Sequence, residues 1–330
     1  MTVPQRYGMT IPFDKVPLSE HRDWFRELVD LGYTDVWSSE ADGTDAFTPL
    51  TLAAAWAPEL RLGSAIVPAY TRSPALMAQS VAALAEAAPG RVAFGIGTSS
   101  NVIVERWNGL PFEQPYLRTK EMVRYLRAAM AGGKVEGEWT TFASKGFRLA
   151  RVPETPPEIL VAALRPGMLK LAGREADGAI INWLSADDVR QVVPVVAEAR
   201  TAAGLDDGPE IVARIFVVPS DDADTVRGMA RFAIAAYLNV PVYAAFHDWL
   251  GRGEVLKPMW DLWKEGDRKG ALAAIPDSLV DELVVWGPPE RCREHIARYH
   301  EAGVTTSALA LLPFGVDQRQ AIRDVAPAAG

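Results

Sequence analysis

Short apolar runs alternate with amphipathic runs along most of this 330-residue chain. The apolar runs have the length of buried strands, and the amphipathic runs repeat their apolar residues at helical spacing. Such alternation predicts parallel strands, because a strand that returns in the same direction needs a connection long enough to hold a helix. Eight strands are predicted, over 7–11, 35–38, 61–67, 92–96, 159–163, 178–181, 211–218 and 305–311.

The helices between these strands begin and end at residues with capping chemistry. Ser73-Pro74 supplies a cap and a first-turn proline for a helix over 75–88, and Gly32 ends a helix over 19–31. Eight strand–helix units favour closure into a (β/α)8 TIM barrel with insertions. The alternative is an open, doubly wound sheet, which usually has a glycine-rich first turn. The first turn here, over 11–14, contains no glycine.

The spacing of the elements predicts one domain over 1–330, with a helical insertion around 220–285 between strands seven and eight. About 85 residues separate these two strands, far more than one connecting helix requires. The insertion is rich in aromatic residues and is interpreted either as extra helices packed on the barrel or as a side wall of a substrate pocket. Residues 133–158 are rich in Gly, Pro and Thr and predict a loop with a hairpin.

Composition excludes several classes of protein. The net charge is −8 and no dense Lys/Arg run is present, so nucleic acid is not an expected partner. The single cysteine, Cys292, excludes an internal disulfide, and the four histidines show no metal-ligand spacing. No apolar stretch reaches the length of a membrane span, and the N-terminus lacks the pattern of a signal peptide. A cytoplasmic location is therefore expected.

Candidate site residues follow from the position of active sites in such barrels, at the C-terminal ends of the strands. Gly97, Thr98 and Ser99 come directly after strand four, where small residues and hydroxyls suit close approach to a ligand. The segment 164–168 precedes a helix, whose first amides, together with Arg165, suit an anion. Each segment is also compatible with an ordinary loop.

Glu40 ends strand two and is the candidate catalytic carboxylate, placed to accept or hold a proton beside a redox ring. The other interpretation is a solvated loop acid or the partner of a nearby arginine. The sequence has no nucleophile elbow, no phosphate-binding loop of the Walker type and no H-E-x-x-H motif. Hydrolysis and phosphoryl transfer therefore find no support.

Three segments together resemble the luciferase-like monooxygenase family over nearly the whole chain. Residues 62–100 resemble its third and fourth strand–helix units, with an Arg-x-Pro helix start and a Gly-x-Gly strand end. Residues 164–183 contain its AG-x-x-ADG core, and 286–304 resemble its last helix. The Gly-Thr-Ser-Ser element, followed by Arg118 and Glu121, is closer to the branch that uses the deazaflavin coenzyme F420 than to the FMN branch.

The resemblance implies a role for each candidate residue. Ala65 and Ile66 match the family's bulge, where a non-prolyl cis peptide backs the central ring of the cofactor. Ser39 and Glu40 flank that ring. The other implied cofactor-binding residues are Gly97, Thr98 and Ser99 along the tail, and Leu164, Arg165, Gly167 and Met168 at the phosphate. Phe13 and Trp183, together with the 240–265 region, are expected to form the apolar wall of the substrate site.

Two departures from the family pattern reduce the number of reactions that the resemblance allows. Sugar-oxidising members carry His where Glu40 stands and Glu where Ser100 stands, so oxidation of a sugar phosphate is not expected. The resemblance implies hydride transfer between the deazaflavin C5 and an organic substrate, in the direction that reduces a C=C or C=N bond. The alternatives are an FMN-dependent monooxygenase and a non-catalytic flavin-binding protein. The resemblance also implies a homodimer built on the early helices.

Overall fold

The computed structural model describes residues 5–312 and 315–327, so both ends of the predicted 1–330 domain lie outside the described residues. Its strands form one parallel sheet that closes on itself, because β10 pairs with both β1 and β8. The strands are β1 Arg6–Thr10, β2 Asp35–Ser38, β3 Arg61–Ser64, β4 Val67–Pro68, β5 Val92–Gly97, β6 Glu158–Ala162, β7 Gly178–Asn182, β8 Glu210–Val218, β9 Val284–Trp286 and β10 Thr306–Leu311.

Helices connect successive strands and surround the sheet, as the alternating pattern predicts. They are α1 His21–Asp30, α2 Phe47–Trp56, α3 Pro74–Ala87, α4 Pro115–Met130, α5 Pro166–Glu175, α6 Ala186–Ala202, α7 Ala223–Leu238, α8 Pro241–Trp249, α9 Gly253–Glu265, α10 Arg268–Ala273, α11 Asp277–Leu283, α12 Pro289–Glu301 and α13 Gln318–Asp324. The closed eight-stranded (β/α)8 barrel predicted from the sequence is confirmed, and the open sheet is excluded.

Three features of the fold differ in detail from the sequence prediction. The third strand is split into β3 and β4 by Ala65 and Ile66. A π-helix over Val102–Trp107 follows β5, in a stretch for which the sequence predicts no element. The short strand β9 pairs with the end of β8, beyond the part that pairs with β7. The alternation of apolar and amphipathic runs in the sequence is too coarse to predict such short or split elements.

The insertion between β8 and β10 holds the helices α7 to α11, in the stretch where the sequence predicts a helical insertion. These helices share a second apolar core with the ends of β8 and β10 and with Trp183. The 133–158 segment forms one antiparallel bridge, between Val135 and Phe147. The insertion therefore covers one side of the barrel with helices, whereas the 133–158 segment stays irregular.

Side chains from alternate positions of the strands fill the barrel lumen. Trp37 is fully buried there and packs with Ala93, Leu160, Ile180 and Val212. Inward- and outward-facing residues alternate because successive side chains of a strand point to opposite faces. The lumen is therefore a packed interior, as expected for a barrel of eight strands.

Within the described ranges, no single helix has the length and hydropathy of a membrane span. The helices Ala223–Leu238 and Pro241–Trp249 satisfy these criteria only as a pair, and they are bent by 102° relative to each other. No group of three or more potential metal ligands occurs in residues 5–312 and 315–327.

Candidate active site

The predicted cofactor residues lie at one end of the barrel, because the C-terminal ends of parallel strands share one edge. Ser39 and Glu40 follow β2, Ala65 and Ile66 separate β3 from β4, and the other predicted residues end β5 or connect β6 to α5. This C-terminal end of the barrel is called the mouth below. The closed fold therefore brings together residues that are up to about 130 positions apart in the sequence.

The peptide bond between Ala65 and Ile66 is cis, as the resemblance implies. Backbone hydrogen bonds connect it to the end of β2. The Ala65 amide donates to the Ser38 carbonyl oxygen at 2.6 Å, and the Glu40 amide donates to the Ile66 carbonyl oxygen at 3.0 Å. The bulge is therefore held against the residues that are predicted to flank the cofactor ring.

The carboxylate of Glu40 forms an ion pair with Arg72. The Arg72 Nη2 atom lies 3.0 Å from Glu40 Oε2, and the Thr71 hydroxyl donates to Oε1 at 3.2 Å. Arg72 also lies over the Phe47 ring, 4.8 Å from its centroid. The interpretation of Glu40 as the partner of an arginine is confirmed, and its catalytic role stays a prediction. Arg72 belongs to the Arg-x-Pro start of α3, which is the sequence signal for this pair.

At the end of β5, the backbone passes very close to its neighbours. A Cβ added to Gly97 would lie 2.8 Å from the Ala162 Cβ and 3.3 Å from the side chain of Ile66. Ser99 follows in the left-handed region, with φ of 61°, and the Thr98 hydroxyl donates to the Ser99 carbonyl oxygen at 3.3 Å. Gly97 therefore allows the Ile66 bulge and β6 to approach β5 closely.

The first turn of α5 presents unpaired backbone amides at the surface. Arg165 caps the helix in an extended conformation, and its side chain makes no capping hydrogen bond. Gly167 is exposed, and a Cβ added to it would meet no atom within 4 Å. Since the first amides of a helix have no partner within the helix, those of Gly167 and Met168 are available to an anion. Leu164 lies half-buried beside them.

The predicted role of Phe13 in the substrate wall needs correction. Its side chain is only 2% exposed and packs on His21, Trp24 and Phe25 in the core between the barrel and α1. The Phe13 amide donates to His21 Nε2 at 3.0 Å, which fixes the turn after β1 against α1. Burial of the ring against three aromatic side chains favours this position over one in contact with a ligand.

Trp183 follows β7 and is likewise buried, with only 1% exposed, in the apolar core that the insertion shares with β8, so its ring lies behind the mouth and does not form the surface of a substrate wall. Its ring stacks on Phe216 at a centroid distance of 4.0 Å and lies 5.0 Å from the ring of Tyr237. Next to it, the Asn182 side-chain amide donates to the Tyr243 hydroxyl at 3.0 Å. The aromatic residues of the insertion therefore extend the mouth on the side of β7 and β8.

A cavity of about 170 Å³ lies beside α4 and contains none of the predicted cofactor residues. Its lining is Tyr70, Leu110, Pro111, Glu113, Gln114, Arg118, Thr140 and Thr141. Arg118 donates from Nε to the Ala69 carbonyl oxygen at 2.9 Å and from Nη1 to that of Thr141 at 2.7 Å. Burial lowers the pKa of the Arg118 guanidinium below its ordinary value. Arg118 therefore holds the loop after β4 and the 133–158 segment together.

A family model described as luciferase-like monooxygenase matches residues 3–306. The chain belongs to the luciferase-like monooxygenase family. The match covers the barrel strands as far as the start of β10, together with the whole insertion. The resemblance seen in the sequence is therefore confirmed, and so is the prediction of an oxidoreductase.

Relatives of this luciferase-like protein carry several different names. A 5,10-methylenetetrahydromethanopterin reductase of Methanolobus tindarius is 28% identical over 308 residues, covering 88% of this chain and 90% of that protein. The coenzyme F420-dependent tetrahydromethanopterin reductase of Methanopyrus kandleri superposes with a TM-score of 0.80 at 22% identity, covering 98% and 97% of the two chains.

A second solved structure of the same fold contains FMN. It is the oxygenating constituent of 3,6-diketocamphane monooxygenase from Pseudomonas putida, a type II Baeyer-Villiger monooxygenase. The TM-score is 0.68 at 17% identity, and the match covers 98% of this chain and 97% of that one. At such identities, the two structural matches establish the barrel fold that this luciferase-like chain shares with them.

Proposed function

We propose that the chain is an F420-dependent oxidoreductase that reduces a C=C or C=N bond of an organic substrate. The observation that carries the proposal is the open N-terminus of α5, where Gly167 and Arg165 face solvent beside unpaired amides. A cofactor with a phosphate in its tail fits such an end of a helix. The similarity to a methylenetetrahydromethanopterin reductase over 88% of the chain supports the choice of a reductase.

The phosphate of the cofactor would be bound by the first turn of α5. The amides of Gly167 and Met168 would donate to it, and no side chain at Gly167 obstructs the approach. Arg165 is exposed and forms no ion pair within residues 5–312 and 315–327, so its guanidinium is available to the anion. Ser99 and Thr98 would contact the tail between this turn and the ring.

The ring would lie against the bulge at Ala65 and Ile66. Gly97 has no side chain, so Ile66 and β6 pack closely against it and the bulge is held in place beside the end of β5. Ser39 and Glu40 would flank the ring, because the Glu40 amide is bonded to the Ile66 carbonyl oxygen. The aromatic residues of the insertion, supported by the buried ring of Trp183, would exclude water on the opposite side of the mouth.

When bound, F420 supplies a hydride from its C5 to an electron-poor carbon of the substrate. The other atom of the reduced bond then takes a proton. Glu40 would hold that proton at Oε1, with Arg72 fixing Oε2, or a bound water would deliver it. The protein thus supplies position and a dry site, and the redox chemistry belongs to the cofactor.

Fluorescence titration with oxidised F420 and with FMN tests the proposal. We expect F420 to bind below millimolar and more tightly than FMN. The Arg165→Met variant should weaken F420 binding about tenfold, a change of about 1.4 kcal/mol typical of a charged hydrogen bond. Arg174→Met, at the other end of α5, is the matched control and should bind normally. If neither cofactor binds the wild-type protein, the proposed function is wrong.

An FMN-dependent monooxygenase on the same barrel is the second candidate, favoured by the family and by the FMN-bound structure from Pseudomonas putida. Oxygen consumption with reduced FMN would identify it, because a reduced deazaflavin reacts poorly with oxygen. Tight cofactor binding without turnover of any acceptor would instead support a non-catalytic flavin-binding protein. The homodimer and the cytoplasmic location stay predictions, and gel filtration tests the former.

A further inference from the structure

Arg214 is an inward-facing arginine of β8 that forms no ion pair within residues 5–312 and 315–327. It lies beside Asn182 of β7 on one side and Ala308 of β10 on the other. The side chain is half-buried, and its Nε atom is fully buried without a hydrogen-bond partner in the described residues. A partly desolvated guanidinium without a carboxylate partner gains stability when an anion binds to its free N–H groups.

The guanidinium is positioned by an aromatic ring instead of a carboxylate. Its central carbon lies 5.0 Å from the centroid of Phe216, whose ring stacks on Trp183. A cation–π contact uses the face of the guanidinium and leaves its N–H groups free. The stack therefore fixes Arg214 in place while its donors remain available.

The Tyr243 hydroxyl lies close enough to Arg214 for the charge of the guanidinium to act on it. The side-chain amide nitrogen of Asn182 donates to the Tyr243 oxygen at 3.0 Å, and the amide oxygen of Asn182 accepts from the Trp183 amide at 3.0 Å. Burial raises the pKa of Tyr243 to about 12, so the hydroxyl keeps its proton at neutral pH. Since its oxygen already accepts, the Tyr243 proton is free for another acceptor.

Two further lumen groups, one on β1 and one on β2, have no hydrogen-bond partner among the described residues. Trp37 Nε1 on β2 and the Thr10 hydroxyl on β1 are buried without hydrogen bonds in the part of the chain that the structure describes. Going round the barrel from β8, the next strands are β10, β1 and β2. An indole N–H can only donate, and a hydroxyl can donate. These two groups therefore lie on strands between Arg214 and the bulge, where each can donate to a bound molecule.

We propose that the substrate carries a carboxylate group and that Arg214 binds it, assisted by the Tyr243 hydroxyl. An arginine pairs well with a carboxylate because two parallel N–H donors match its two oxygens. The strand order places β8 four strands from β3 in either direction round the barrel. A substrate anchored on Arg214 would therefore extend across the mouth towards the bulge at Ala65 and Ile66.

This inference rests on the proposed function, because it names the substrate class of the same site. The experiment therefore starts from the full-length protein with oxidised F420 bound, and it compares benzoate with its neutral isostere benzamide by calorimetric titration. The wild-type complex should bind benzoate at least tenfold more tightly than benzamide. Arg214→Met should abolish that preference, and Arg214→Lys should retain part of it. Phenyl phosphate in a third titration shows whether the site prefers a carboxylate.

Arg268→Met is the matched control, since Arg268 also lies over an aromatic ring, that of Trp263, but is exposed on α10. It should keep the wild-type preference, and thermal melting confirms that each variant is folded. Equal binding of benzoate and benzamide by the wild type, tighter binding of phenyl phosphate, or a preference that survives Arg214→Met would overturn the inference. Loss of F420 binding in Arg214→Met would assign Arg214 to the cofactor, whereas failure of the wild type to bind F420 would reject the proposed function.

Discussion

The indole of Trp37 occupies the lumen because glycine stands on both neighbouring strands. A Cβ added to Gly8 would lie 2.6 Å from the indole, and one added to Gly63 would overlap its six-membered ring. Gly63 is the register partner of Trp37 on β3, whereas Gly8 on β1 pairs with Asp35, two positions before Trp37. The role of these glycines is therefore to provide volume for one large side chain.

Gly63→Ala is expected to destabilise the protein by about 1–3 kcal/mol, the usual cost of overpacking a filled interior. Urea unfolding followed by tryptophan fluorescence measures the change. Gly228→Ala, at an exposed position of α7 where a Cβ meets nothing within 4 Å, is the control. It should raise stability by about 0.5–1 kcal/mol because alanine suits the middle of a helix. An unchanged midpoint for Gly63→Ala would contradict the packing argument.

At the scale of elements, the carboxylate of Glu121 on α4 is one of the contacts that anchor the 133–158 segment. Glu121 accepts from the Thr140 and Thr141 amides, each at 2.9 Å, and from the Thr141 hydroxyl at 2.6 Å. Burial alone would raise the pKa of Glu121, but these three hydrogen bonds outweigh it and bring the pKa below the ordinary 4.5. The ionised carboxylate therefore holds an irregular segment that has little other backbone pairing.

The pH dependence of this anchor follows from the direction of the pKa shift. A carboxyl with a lowered pKa in the folded state contributes fully above its ordinary pKa, and the contribution disappears as the pH falls through the lower folded value. We expect hydrogen exchange of the Thr140 and Thr141 amides to be protected at pH 7 and to lose this protection only when the pH falls below the ordinary carboxyl pKa of 4.5.

Glu121→Gln should increase exchange of the same two amides about tenfold at pH 7, because it replaces charged hydrogen bonds by neutral ones. Glu136→Gln is the control, since Glu136 is an exposed residue of the same segment that pairs only with Lys134 among the described residues. Its exchange pattern should match the wild type. Equal protection in Glu121→Gln would show that other contacts hold the segment.

At the scale of the whole molecule, the two ends of the barrel have different roles. The N-terminal end is closed by Arg61, which forms ion pairs with Asp35, Glu158 and Glu210 on three other strands. The hydroxyl of Thr306 donates to Glu210 at 2.6 Å and adds a fifth strand. Burial would raise the pKa of Glu210, yet the hydrogen bond and charge of Arg61 keep it below its ordinary value. This cluster connects the strands far from the mouth.

Arg61→Met is expected to destabilise the protein by about 3–5 kcal/mol, because it leaves buried carboxylates without a counter-charge. Chemical unfolding measures the loss, and the F420 affinity of the protein that remains folded should be unchanged. Arg124→Met removes a surface ion pair with Glu175 and should cost less than about 1 kcal/mol. A comparable effect of the two substitutions would refute the structural role of the cluster.

Local pattern was sufficient to predict the strands and helices of the barrel and the order in which they occur. The periods of 2 and 3.6 residues and the helix caps are encoded within a few consecutive positions. They can therefore be recognised without knowing which elements pack beside them in the fold. The same information located the residues at the mouth, such as Gly97 and Gly167, because their place after a strand fixes the end of the barrel at which they lie.

Only the tertiary structure decided which neighbours the predicted site residues contact. Glu40 forms an ion pair with Arg72, and the side chain of Phe13 is buried in the core beside α1. Arg214 lies inside the barrel without a counter-charge in the described residues. The apolar residues on either side of it in the sequence do not predict this position. Each outcome depends on how strands far apart in sequence are brought together by closure of the sheet. The contacts between these residues depend on the register of strands all round the barrel, and the local periodicity of the sequence does not determine that register.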